Sequence, residues 1–145
     1  MNYEDILRKA ISLAEKSQDN KREIEKVFDS LRISIENFTD GKVSLLIIEK
    51  QRNDDSITHQ LSRAARYVAG ERAIDIYNAI CIYYIQANKR IEIAEWKMGT
   101  EGYPCRIIYS NNREVYCSNK EELEQALAEL IGSPDVGEIL LRILG

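Results

Sequence analysis

The apolar residues of this chain fall into blocks with two different periods. Over residues 4–17, Ile6, Leu7, Ala10, Ile11, Leu13 and Ala14 share one helical stripe, with the charged residues opposite. The polar stretch from Glu15 to Glu23 contains Asp19-Asn20 and is expected to break or bend that helix. Ile24, Val27, Phe28, Leu31, Ile35 and Phe38 then recur at three- and four-residue steps, the pattern of one buried helix face. Residues 31–38 also fit a strand turned through Asp40-Gly41. The period runs unbroken from Ile24, however, and favours a helix stopped at Gly41.

The period then shortens. Val43–Glu49 is a β-branched run that reads as a buried strand. Ile57, Leu61, Ala64, Ala65 and Val68 predict an amphipathic helix started at Asp55 or Ser56 and ended at Gly70. Residues 74–86 and 90–98 alternate around a two-residue turn at Ala87-Asn88, and a loop follows from Gly99 to Gly102. Tyr103–Tyr109 and Glu114–Cys117 form a second hairpin across 110–113. Ser118-Asn-Lys-Glu121 reads as a capping box for a helix burying Leu123, Ala126, Leu127, Leu130 and Ile131. Ser133-Pro134 restarts a helix whose face is Val136, Ile139, Leu140, Ile143 and Leu144. The expected fold is α+β in a single domain over 1–145. It has N-terminal helices, a mostly antiparallel sheet of four or five strands, and two C-terminal helices packed on the sheet.

Composition narrows the classes. With 145 residues, 44% hydrophobic and 30% charged, the chain has room for one domain with a real core. Seven Gly and two Pro exclude a collagenous or linker-like chain. No apolar run approaches a membrane span, and Met1-Asn2-Tyr3-Glu4-Asp5 lacks the features of a signal peptide, so a cytoplasmic protein is expected. A net charge of −4 argues against a dedicated nucleic-acid binder. Within that total, residues 51–73 carry four basic residues, all Arg, against three acidic ones and form the net-positive stretch. Cys81, Cys105 and Cys117 lack zinc spacing and the chain has one His, so free thiols are expected.

Several constellations could carry chemistry. Pairing Gln86 with Lys89 across the 80–97 hairpin sets Tyr84 against Ile91 and Ile82 against Ile93, an apolar core face. The other face then presents Cys81, Tyr83, Ile85, Arg90, Glu92, Ala94 and Trp96, where exposed aromatics could stack bases or meet a protein. Asp75 with Glu95-Trp-Lys97 resembles the carboxylate-and-lysine set that holds a divalent cation and an attacking water in metal-dependent nucleases. The same acid-x-Lys triplet recurs at Asp19/Lys21 and Asp40/Lys42, so its spacing carries little weight alone. His59, Arg63 and Arg66 share one face of the middle helix and could receive a phosphate or an acidic partner surface. Asp55 with His59 supplies two metal ligands without a third. Cys105 with His59 would be a nucleophile–base pair, but Cys105 follows Pro104 on a strand, where nothing activates a thiol. Gly99-Thr-Glu-Gly102 has the spacing of a KH loop but joins two strands and carries Glu101, so a turn is expected.

No phosphate loop, GxGxxG or HExxH motif occurs, and no cofactor is implied. The reading is therefore a non-catalytic interaction or regulatory domain whose partner is another protein or a second copy of itself. Its candidate binding residues are His59, Arg63, Arg66, Tyr83, Arg90 and Trp96. The alternatives are a metal-dependent nuclease using Asp75, Glu95 and Lys97, and a weak nucleic-acid module using the aromatic strand face or the Arg63/Arg66 helix. The expected homodimer would cover the last helix and the aromatic face.

Overall fold

A computed structural model describes residues 1–52 and 75–145. The order is α1 (Tyr3–Phe38), β1 (Val43–Gln51), β2 (Ile76–Tyr84), β3 (Lys89–Gly99), β4 (Gly102–Tyr109), β5 (Glu114–Cys117), α2 (Lys120–Ile131) and α3 (Pro134–Leu144). The five strands form an antiparallel meander in sequence order. The expected α+β fold is therefore present, its antiparallel sheet having five strands. The proposed middle helix, with Asp55, His59, Arg63 and Arg66, lies outside the described residues.

The expected break at 15–23 does not occur: α1 is one helix of 36 residues. Asn2 caps it by accepting from the Asp5 amide at 3.3 Å. Inside the polar stretch, Asp19 pairs with Arg22 one turn on at 3.5 Å. Asn20 donates to the Glu101 carbonyl of the β3–β4 turn at 3.1 Å. Asn20 meets a turn of backbone and Asp19 faces solvent, and the helix runs through both. It stops at Gly41 as expected: the Gly41 amide, at φ +78°, returns to the Glu36 carbonyl at 2.8 Å. Buried Thr39 donates to the Ile35 carbonyl at 2.8 Å and accepts from the Val43 amide at 3.1 Å, tying the helix end to the start of β1.

One face of the sheet is the core. Val43, Leu45, Ile80, Ile82, Ile93, Ala94, Trp96, Cys105, Ile107 and Cys117 meet Ile24, Val27, Phe28 and Ile35 of α1, together with Leu123, Ala126, Leu127 and Leu130 of α2 and Val136 of α3. Phe28 and Trp96 stack edge to face at 4.8 Å. The cap of α2 sits one residue later than the capping box predicted: Asn119 accepts from the Glu122 amide at 2.9 Å, and Glu122 in turn accepts from the Ser118 amide. Ser133 caps α3, with Pro134 in the first turn, as expected.

The hairpin register departs from expectation. Residues 85–88 form a four-residue turn, so Tyr84 pairs with Lys89 and Ile82 with Ile91. A bulge follows: Cys81 pairs with Glu92, but Ile80 pairs with Ala94. The extra residue exchanges the two faces of β3 beyond Ile93.

The helix outruns the sheet. At 1.5 Å per residue, α1 extends about 54 Å, whereas a nine-residue strand extends about 30 Å. Its buried residues are Ile24, Val27, Phe28 and Ile35, and every residue from Tyr3 to Lys16 is exposed. Where α1 first reaches the sheet the fit is close: Gly102 has φ +90°, and a Cβ there would lie 2.8 Å from Asn20 Cβ. Gly102→Ala is therefore expected to cost about 1–3 kcal/mol, measured by urea unfolding, from backbone strain plus the displacement of α1. A loss within about 0.5 kcal/mol, the range of an ordinary surface change, would contradict this packing.

Candidate functional site

The far side of the sheet carries polar and charged residues around the fully buried Ala79 and Cys81. Arg90 and Tyr83 share that face, as the sequence suggested, and the shifted register makes them cross-strand partners, with the Arg90 guanidinium 5.9 Å from the Tyr83 ring. The Tyr83 hydroxyl donates to Asn88 at 2.8 Å, within its own turn. Trp96 is not beside them. The bulge turns it inward against Phe28, where it is 6% exposed, and Ala94 goes with it. The expected aromatic platform of Tyr83 and Trp96 on one face is thus undone by one extra residue in β3.

The same bulge brings Glu95 outward, and it meets Asp75. Both carboxylates bind one guanidinium: Arg52 Nη1 and Nη2 reach Glu95 at 3.0 and 3.2 Å, and Arg52 Nε reaches Asp75 at 3.2 Å. The Arg52 side chain lies 4.6 Å over the Tyr77 ring. The Tyr77 hydroxyl donates to Glu92 at 2.8 Å, and Lys50 pairs with Glu92 at 3.4 Å. Burial foremost, then the Glu92 bond, pushes the Tyr77 phenol up to about 12. The hydrogen bonds it donates to Glu95 hold Arg52 more firmly protonated than usual. Asp75 and Glu95 therefore do converge, with Lys97 two residues further along the same side of β3. Arg52, of opposite charge, bridges the two carboxylates. Among the described residues no group of three His, Cys, Asp or Glu side chains is arranged to hold a metal ion.

The thiols are packing residues. Cys105 and Cys117 pair across β4 and β5, and both are fully buried, as is Cys81. Burial first, then the neighbouring Cys117, pushes the Cys105 thiol up to about 12, the opposite of an activated nucleophile. Burial raises Cys81 and Cys117 as well. Gly99–Gly102 is a strand-to-strand turn, as expected.

No protein-family model, curated protein or solved structure matches the chain. Among the described residues, two surface features outside the sequence-based candidates stand out. A groove of about 750 Å³ runs between α1 and α2, floored by Val27, Leu31 and Leu127 and rimmed by charges of both signs such as Lys26 and Glu124. The second feature is the projecting half of α1. Ile6, Leu7, Ile11 and Leu13 are 51–61% exposed and Tyr3 is 70% exposed, on the stripe that also carries Ala10 and Ala14. The sequence displayed that stripe plainly. It gave no sign that the sheet would end before reaching it, because a periodic pattern records which residues want cover and not what covers them.

Trp96, the chain's single tryptophan, reports on the face exchange directly. Its emission is expected to be blue-shifted, shielded from acrylamide and unchanged by single-stranded oligonucleotides, moving to the red on unfolding. A water-exposed spectrum from the folded protein would restore the aromatic platform.

Proposed function

We propose that this chain is a non-catalytic interaction domain that engages a protein partner through the projecting half of α1. The observation that supports this reading is the run of fourteen exposed helical residues, Tyr3 to Lys16, with an apolar stripe along one side. A helical segment of that length gains little from backbone propensity alone. Its leucines and isoleucines would each contribute about 1.5–3 kcal/mol if fully buried. Such a stripe is the usual mark of a docking helix, read by a partner at every third or fourth residue. On the charged side of the segment, Arg8 is engaged within the helix, bridging Glu4 at 3.7 Å and Asp5 at 3.3 Å.

The nuclease reading is less well supported because Asp75 and Glu95 are engaged by Arg52. A cation would have to displace a bidentate guanidinium to reach them. The two readings separate in a cleavage assay with Mg²⁺ or Mn²⁺ on single- and double-stranded DNA and RNA. The expected outcome is no cleavage above buffer. Metal-dependent cleavage that Glu95→Ala abolishes would replace the interaction reading with the enzymatic one.

A further inference from the structure

We propose that the occupant of the projecting stripe is a second copy of this chain, with the two α1 helices packed antiparallel about Ala10. The inference rests on the interaction reading above and names its partner.

Size is the first argument. The side chains from Tyr3 to Ala14 on the stripe are more than half exposed at every large position. They offer on the order of 600 Å² per copy, so two copies would bury about 1,200 Å², the lower edge of specific interfaces. A single pair of such helices is thus just sufficient, with affinity in the micromolar range.

Pattern is the second argument. Running the segment antiparallel on itself with Ala10 at the centre sets Tyr3 against Ser17, Ile6 against Ala14 and Leu7 against Leu13. Large side chains meet small ones, or leucine meets leucine, and the two Ala10 methyls allow the backbones close approach at the middle. A two-fold interface requires this kind of self-complementarity, in which residue i meets j and j meets i.

Orientation follows from the fold. Leu7, Ala10, Ala14, Ser17, Lys21, Ile24, Phe28, Leu31 and Ile35 lie on one line of alternating three- and four-residue steps. From Ile24 onward that line is buried in the core, only Leu31 on it being half-buried, and before Ser17 it is exposed. A parallel copy following the same line would run into the space the sheet fills. An antiparallel copy overlaps only the projecting segments and leaves the two bodies at opposite ends.

The test uses the full chain in sedimentation velocity across a dilution series spanning roughly 1 to 200 µM. The expected result is a reversible monomer–dimer equilibrium within that range. Ala10→Glu places two carboxylates at the two-fold centre and should weaken the dimer by at least about 100-fold. Position 10 is exposed in the monomer, so the urea midpoint of the body should not move. Orientation is read by mild oxidation. The Ala10→Cys variant should cross-link to a disulfide dimer, as should a mixture of the Tyr3→Cys and Ser17→Cys variants, whereas Tyr3→Cys alone should not. A chain that stays monomeric throughout, a dimer indifferent to Ala10→Glu, or efficient cross-linking of Tyr3→Cys alone would each overturn this proposal. None of these results would touch the interaction reading, whose own failure is the metal-dependent cleavage described above.

Discussion

Phe28 meets Trp96 edge to face at 4.8 Å, where the C-terminal half of the long helix crosses the middle strand of the sheet, and the rest of the molecule is organised around that contact. It requires Trp96 to face the helices, which the strand can arrange only by inserting one residue between Glu92 and Ala94. It also anchors α1 by its C-terminal half. Ile24, Val27, Phe28 and Ile35 are buried within three turns, while Thr39 and Gly41 tie the helix end to β1. Aromatic burial on this scale contributes several kcal/mol, more than any surface ion pair in the structure. One half of the helix is thereby held, and the other half is carried outward as a rigid continuation.

The bulge has a second consequence on the opposite face. Once Trp96 turns in, Glu95 must turn out, and it arrives beside Asp75 at the start of β2. Two carboxylates brought together in this way repel unless a cation lies between them. Arg52, at the end of β1, supplies that charge in a flat fork that also covers the Tyr77 ring. What resembles a metal-binding triad in the sequence is, in the fold, a carboxylate pair bridged by a cation from within the chain.

Much of the architecture was legible in the sequence because each element carries its own period or cap. The two C-terminal helices, the Gly41 stop, the 103–117 hairpin and the strand at Val43 all rest on local chemistry that tertiary contacts did not override. The errors have a common origin in non-local facts. Asp19 and Asn20 look like a helix break until the β3–β4 turn is seen to accept the Asn20 amide. Alternation places Trp96 on the wrong face because a single inserted residue inverts an alternating strand, and nothing in Ile91–Trp96 marks the insertion. Tyr83 and Arg90 lie before the bulge, so both keep the face the alternation predicts, although the expected register set Tyr83 against Glu92 and not against Arg90. The projecting stripe was visible residue by residue, but its exposure depends on the difference between helix length and sheet length, which no local pattern encodes.

The account therefore divides α1 into an anchored half and a half that gains cover only by association. Amide hydrogen exchange at two protein concentrations tests that division most directly. Residues 24–38 should be protected equally at both, with exchange limited by global unfolding. Residues 6–16 should be protected at high concentration and exchange far faster on dilution, as their partner dissociates and the exposed turns fray. Equal, concentration-independent protection along the whole of α1 would contradict the account, because the N-terminal half would then be covered by its own chain.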